Sequence, residues 1–200
     1  MTTDFVASEA QLRERYDTPK DMILKLKLAR LDEHARRFIS LSPFLVLATR
    51  GDASPKGDAP GFVRVVDDAT LLIPDRAGNN KLDTLRNILD DPAVGMIFLI
   101  PGFNETLRVN GRARVTMDPD PLAPLAVDGK APKSGIVVDV EEVYLHCGKA
   151  LLRARLWDPE ARTDRAAMPT MGRMVADQIA GLDADEIETG YQEALKTSLY

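Results

Sequence analysis

Short apolar runs separated by turn signals occupy the middle of the chain and predict a β-rich core. The runs at 44–49, 62–66 and 70–73 have the length and composition of strands. Residues 94–100 form an unbroken run, so we expect both faces of that strand to be covered. Residues 106–115 alternate between apolar and polar positions, with Gly111 and Ala113 on the apolar face, and 136–145 return to strand character. The pattern predicts a small barrel of mainly antiparallel strands with flanking helices.

Helical periodicity occurs at both ends of the chain and once between strands. Ser8 is the expected N-cap of a first helix, and apolar positions at helical spacing follow over 21–39, as one helix or two. A further helix is predicted over 81–89, and helical stripes return over 168–198. We therefore predict an N-terminal helical extension over 1–42, a barrel over 43–160 and a C-terminal helical extension over 161–200.

Composition and charge exclude several functional classes. The 200 residues carry a net charge of −5, whereas a non-specific nucleic-acid binder needs a basic surface. There is no apolar run of membrane-spanning length, and the first residues lack a signal-peptide pattern. The single cysteine, Cys147, has no partner for an internal disulfide. We expect a cytoplasmic protein without a nucleic-acid or membrane partner.

The segment 71–89 carries the strongest candidate chemistry. A strand ends at Pro74, a polar loop follows, and Asn79, Asn80 and Lys81 stand where the next helix begins. A helix start offers unpaired N–H groups and a partial positive charge, which suit a phosphate, and Lys81 adds a full charge. The alternative is that Asn80 is only an N-cap with Asp83 as its capping-box partner, and this segment alone favours that alternative.

Other polar residues carry less specific signals. Arg108, Arg112 and Arg114 share one face of a strand, so either acidic side chains lie opposite them or an anionic ligand lies nearby. We favour the structural interpretation for Arg112 and Arg114 and leave Arg108 open. His146 and Cys147 are adjacent on a strand and point to opposite faces, and two histidines are too few for a typical zinc site. We therefore interpret both as structural.

Three segments in order carry a resemblance to a known family. Pro55-Lys-Gly-Asp-Ala-Pro-Gly-Phe62 leads through a hairpin into Leu71-Leu-Ile-Pro-Asp75, Gly78-Asn-Asn-Lys81 opens a helix, and Glu105-Thr-Leu-Arg-Val-Asn-Gly-Arg-Ala113 forms a strand. Together they resemble the flavin-binding split-barrel superfamily that contains pyridoxamine phosphate oxidase. The segment 146–160 is similar to one bacterial subgroup of mostly uncharacterised members. The resemblance covers about residues 40–160.

The resemblance implies a homodimer with two FMN molecules at the subunit interface. Lys81 matches the family's phosphate-binding lysine. Three positions depart from the oxidase: Asn80 and Asp58 stand where it has arginines, and Thr106 stands where it has a flavin-contacting glutamine. The oxidase's C-terminal Arg and His motif is not recognisable either. Pyridoxamine phosphate is therefore not the expected substrate.

Further cofactor contacts are implied by the same resemblance. Lys56 and Arg64 lie on the segment that borders the flavin, although Lys56 fits an exposed lysine in a Gly/Pro loop equally well. Trp157 either packs against the flavin or fills core space, with core filling slightly favoured. The complete set of implied cofactor-binding residues is Lys56, Asp58, Phe62, Val63, Arg64, Ile73, Pro74, Asn79, Asn80, Lys81, Thr106, Arg108 and Trp157.

These implications lead to the expectation of an FMN-dependent oxidoreductase that acts on an unidentified small molecule. NADH or NADPH is the candidate reductant. The flavin carries the redox chemistry, so no catalytic side chain is assigned. The alternatives are a non-catalytic flavin carrier or sensor, the same barrel with a deazaflavin or heme, and a cofactor-free dimeric interaction domain. A heme would use His146 as its axial ligand.

Overall fold

A computed structural model describes residues 5–200, and the first four residues of the predicted N-terminal extension lie outside this range. The helices are α1 (Glu9–Arg13), α2 (Asp21–Lys25), α3 (Glu33–Leu41), α4 (Asp83–Asp90), α5 (Pro119–Leu122), α6 (Lys149–Ala154), α7 (Met171–Gln178) and α8 (Ala184–Thr197). The strands are β1 (Phe44–Thr49), β2 (Asp52–Gly57), β3 (Arg64–Val65), β4 (Thr70–Pro74), β5 (Ala93–Leu99), β6 (Thr106–Thr116) and β7 (Gly135–His146).

All seven strands join one antiparallel sheet in the order β2-β1-β5-β6-β7-β4-β3. The sheet curls so that its two edges approach each other. Asp58 follows the edge strand β2, Arg76 follows β4 near the opposite edge, and the two side chains are in contact. The concave side holds the core, to which β1, β4, β5, β6 and β7 all contribute buried residues, together with Ile39 of α3 and Ile88 of α4. The predicted mainly β architecture with flanking helices is confirmed.

The structure decides one open element prediction and corrects two others. The helical pattern over 21–39 forms two helices, α2 and α3, because Leu28 between them forms a two-way backbone bridge with Val143 of β7 (2.9 and 2.7 Å). Residues 52–57 form the edge strand β2 instead of a loop, because each residue is in register with β1. The strand predicted over 62–66 is regular only in β3.

Strand β5 is covered on one face only. Val94, Met96 and Phe98 are buried in the core, whereas Ile97 on the other face remains 41% exposed. The prediction of two covered faces is therefore wrong for the single chain. The second face of β5 presents an apolar side chain to the surroundings.

Strand β6 follows its predicted alternation, and its glycine marks a close backbone approach. A β-bulge lies between Asn110 and Gly111, and a Cβ atom on Gly111 would lie 2.2 Å from the carbonyl oxygen of Asp139. The expected acidic partner is present, because Arg114 Nη2 pairs with Asp139 Oδ1 at 3.0 Å. The close approach predicted at Gly111 and the structural interpretation of Arg114 are confirmed.

Both terminal segments contain helices, as predicted, and the C-terminal pattern over 168–198 divides into α7 and α8. Ser8 accepts a hydrogen bond from the Gln11 N–H at 3.3 Å, so its role as an N-cap is confirmed, and α1 ends at Arg13. α7 and α8 pack on each other so closely that a Cβ on Gly172 would lie 2.1 Å from the carbonyl oxygen of Ala184. Within residues 5–200, every helix is too short or too polar to cross a membrane.

Candidate functional site

The loop after β4 reaches α4 through two residues with left-handed backbone. Asn80 and Leu82 have φ values of 60° and 59°, and the Asn79 side-chain oxygen accepts a hydrogen bond from the Lys81 N–H at 3.0 Å. The helix begins at Asp83, and its N-cap position is Leu82, which supplies no side-chain hydrogen bond. The interpretation of Asn80 as an N-cap is therefore wrong, because the left-handed residues delay the helix by two positions.

The start of α4 offers donors suited to an anion. The N–H groups of its first turn have no side-chain cap, and Lys81 lies beside them with its Nζ atom 3.4 Å from Asp83 Oδ2. The helix itself is fixed, since Asn87 Nδ2 donates to Thr49 Oγ1 at 3.0 Å and Ile88 is buried. A rigid helix with uncapped N–H groups and an exposed ammonium fits a phosphate group.

Arg76 ties this loop to three separate parts of the chain. Its Nε donates to Asp58 Oδ2 at 2.6 Å, its Nη1 donates to the Leu125 carbonyl at 2.8 Å, and its guanidinium carbon lies 5.7 Å from the ring centre of Tyr200. The Tyr200 hydroxyl in turn donates to Asp58 Oδ1 at 2.8 Å. These contacts hold the loop close to the end of β2.

The electrostatics of Asp58 follow from the same contacts. Burial acts to raise the pKa of its carboxyl, but hydrogen bonds from the Ala59 N–H, Tyr200 and Arg76 outweigh burial and hold the pKa below its usual value of 3.8. The side chain of Asp58 is 3% exposed and that of Arg76 is 18% exposed. Asp58 is an ionised anchor for Arg76, which leaves it little surface to offer a ligand.

The predicted ring-contacting residues lie around β3 and β4, but most of their side chains belong to the core. Phe62, Val63, Ile73 and Pro74 are all buried, so their side chains offer little surface to a ligand. Arg64 is exposed on the edge strand β3. Lys56 is half-buried on β2, where it pairs in register with Leu45, so its description as a loop lysine is wrong.

The remaining predicted residues lie at the far ends of β6 and β7. Pro74 of β4 is in register with Gly135, the first residue of β7, and Gly135 is also in register with Thr116, the last residue of β6. Thr106, the first residue of β6, is in register with His146 at the other end of β7. Ten residues of strand correspond to about 33 Å along β6. Thr106 is 6% exposed and Arg108 is half-buried two residues further along β6. The chain therefore divides the predicted site into two groups.

Trp157 belongs to this second group. Its indole N–H donates to the Phe103 carbonyl at 2.6 Å, so the ring packs on the turn before β6 and not in the hydrophobic core. His146 ends β7 with its ring centre 5.5 Å from that of Tyr144, and Cys147 is exposed. Among residues 5–200 no group of three His, Cys, Asp or Glu side chains is placed to hold a metal ion.

Two residues at this site carry no sequence signal of their role. Arg76 lies within the motif-bearing segment but is one of several charged residues there. Tyr200 is 142 residues from Asp58. Neither contact follows a local period, so only the folded chain identifies them.

Comparison with known proteins places the chain in a family. The profile described as pyridoxamine 5'-phosphate oxidase matches residues 31–147. HupZ of Group A Streptococcus has a TM-score of 0.47 and 16% identity, with 57% of this chain and 93% of that chain covered. General Stress Protein 26 of Bacillus anthracis has a TM-score of 0.43 and 14% identity, with 56% and 94% covered. An FMN-binding protein of Syntrophomonas wolfei has a TM-score of 0.41 and 11% identity, with 55% and 80% covered.

No curated protein matches the chain. The matched residues 31–147 include all seven strands and α4, and every predicted cofactor-binding residue except Trp157. They make up more than half of the sequence. The chain therefore belongs to the pyridoxamine 5'-phosphate oxidase family, and its sheet is a split β-barrel.

Proposed function

We propose that this protein binds FMN and is an FMN-dependent oxidoreductase for a small molecule. The observation that carries the proposal is the uncapped start of α4 beside Lys81, within the segment that the family profile matches. When bound, FMN supplies the redox chemistry by accepting and returning a hydride or electrons. The residues of the chain hold the cofactor, orient it and limit the access of water.

The phosphate is assigned to the first turn of α4. Its N–H groups have no side-chain cap, and the Lys81 ammonium lies beside Asp83 in that turn. The ion pair between Lys81 and Asp83 joins two exposed side chains, and such pairs contribute little stability, so Lys81 is free to turn to a phosphate. Gly78 leaves the loop open, since a Cβ there would meet only the Arg76 carbonyl, at 4.0 Å.

The ring is assigned to the edge formed by β3 and the end of β4. The buried side chains of Phe62, Val63 and Ile73 anchor this edge in the core, so the edge is a rigid surface for a flat ligand. Arg64 is the exposed cation on this edge. A rigid backbone edge orients a ring without requiring a dedicated acid or base.

We also propose that a second copy of the chain completes the site. Thr106 and Arg108 lie toward the end of β6 opposite to the one beside Gly135 and Pro74, Trp157 packs on the turn before β6, and Ile97 leaves an apolar position open on β5. A homodimer brings a second set of these residues to the cofactor and covers that face of β5. Both observations support a flavin at the subunit interface.

The absorbance spectrum of the purified protein and an FMN titration test the cofactor assignment. We expect Lys81→Ala to weaken FMN binding by tenfold to a hundredfold, because a charge-assisted contact contributes about 1.5–3 kcal/mol. Riboflavin lacks the phosphate, so it should bind both proteins alike. Lys25→Ala, on the exposed helix α2, is the control. Unchanged FMN affinity in Lys81→Ala would refute the phosphate assignment.

Stopped-flow reduction tests the enzymatic part separately. We expect NADH or NADPH to reduce the bound flavin, whereas pyridoxamine phosphate should not be oxidised. Bound flavin that neither nicotinamide reduces would favour a carrier or sensor. A spectrum of heme or deazaflavin would replace FMN as the cofactor and leave the family assignment in place.

A further inference from the structure

An open cavity of about 450 Å³ lies between α3, β3 and the turn after α5. Its apolar lining comes from Val63, Val65, Pro124 and Leu125. A volume of this size is typical of sites for small organic molecules. The cavity is therefore large enough for a ligand of its own, and it lies against the β3 edge to which the flavin ring is assigned.

Two arginines also line the cavity, Arg36 on α3 and Arg64 on β3. Within residues 5–200, neither arginine has a carboxylate within 4.0 Å, whereas Arg30 is paired with Asp68 and Arg76 with Asp58. A pair of arginines without carboxylate partners attracts an anion, and each planar fork matches a carboxylate, sulfonate or phosphate.

The position of the cavity is fixed by the fold. Asp32 caps α3 through the Ala35 N–H at 2.7 Å, and the buried Ile39 packs the helix onto the barrel. On the other side, the Leu125 carbonyl is held by Arg76 Nη1 at 2.8 Å. The walls that carry Arg36 and Leu125 are thus held in place, which favours a pre-formed site.

We propose that this cavity binds the substrate, and that the substrate is an organic anion with an apolar body, its charge held by Arg36 and Arg64. The description of the ligand as a substrate rests on the proposed function, because β3 joins the cavity to the flavin edge. The anion site itself rests only on the cavity and its two arginines. Arg36 is the more specific residue, since it lies outside the segments assigned to the cofactor.

A fluorescence titration with 8-anilinonaphthalene-1-sulfonate tests the anion site without a known substrate. N-phenyl-1-naphthylamine has the same rings without the sulfonate and serves as the neutral probe. We expect Arg36→Ala to weaken binding of the sulfonate about tenfold and binding of the neutral probe less than twofold. Arg37→Ala is the matched control, because Arg37 is the next exposed arginine on α3 and does not line the cavity. It should change neither affinity by more than twofold.

The outcomes separate this proposal from the proposed function. Equal losses in Arg36→Ala and Arg37→Ala, or equal losses for both probes, would overturn the anion site. We expect the sulfonate to bind with the same affinity, within twofold, in the presence of saturating FMN. Displacement of the probe by FMN would overturn the substrate assignment, because the cavity would then belong to the cofactor. A protein that binds no FMN but shows the Arg36 effect would refute the proposed function and leave the anion site standing.

Discussion

Replacing Asp58 with asparagine tests whether an ion pair holds the loop that leads to α4. Asparagine keeps the size of the side chain and the oxygen that accepts from the Ala59 N–H, but it loses the charge that faces Arg76 Nε at 2.6 Å. Removing one partner of a buried pair costs about 3–5 kcal/mol, and an exposed pair contributes about 0–1 kcal/mol. Arg76 is 18% exposed and keeps its bond to the Leu125 carbonyl. We therefore expect Asp58→Asn to lower the free energy of unfolding by about 2 kcal/mol.

Urea unfolding at pH 7, followed by circular dichroism, measures this loss. Asp68→Asn is the control, because Asp68 pairs with Arg30 where both side chains are at least half exposed. We expect that control to lose less than about 0.5 kcal/mol.

The pH dependence gives a second, independent measurement. The folded pKa of Asp58 is lower than its unfolded value of about 3.8, so its stabilising contribution is complete above that value and is lost as the pH falls through the folded pKa. The stability difference between the wild type and Asp58→Asn should therefore shrink below about pH 3.8. A variant as stable as the wild type at pH 7, with the same acid profile, would show that shape alone positions the Arg76 loop.

Two further predictions concern the barrel and its association. We expect Gly111→Ala to lower the free energy of unfolding by about 2–3 kcal/mol in urea, because its Cβ would lie 2.2 Å from the backbone oxygen of Asp139. In Gly190→Ala, on α8, the new Cβ meets no atom within 4 Å, so the free energy of unfolding should rise by about 0.5–1 kcal/mol. A Gly111→Ala protein of unchanged stability would contradict the close approach. For the proposed homodimer, we expect the wild type to sediment as a dimer and Ile97→Asp to sediment as a folded monomer, since Ile97 is exposed in the single chain. Phe98 is fully buried and should not tolerate aspartate. An Ile97→Asp protein that remains a dimer would place the interface elsewhere.

Local periodicity in the sequence determined most of the barrel. The strands that became β1, β4, β5, β6 and β7 were all predictable, because each has an apolar pattern that is stable only in a half-buried or buried extended segment. The close approach at Gly111 was also predictable, because a small residue on the core face of an alternating strand indicates that backbone occupies the space of a side chain.

Tertiary structure decided the elements whose partners are distant in sequence. The polar segment 52–57 is a strand because β1 supplies its hydrogen bonds, and as an edge strand it needs no apolar face. The helical pattern of 21–39 is broken because Leu28 gains backbone hydrogen bonds from Val143. In both cases a non-local hydrogen-bond partner outweighs the local preference.

The candidate site shows the same division. Lys81 and its helix could be found from the sequence, because a loop and a helix start are local features. The delay of that helix to Asp83 could not be found in this way. Nor could the contacts of Asp58 with Arg76 and Tyr200, because they join residues 18 and 142 positions apart. Ion pairs leave no periodic trace in a sequence, since their geometry exists only after the sheet has curled and brought its edges together.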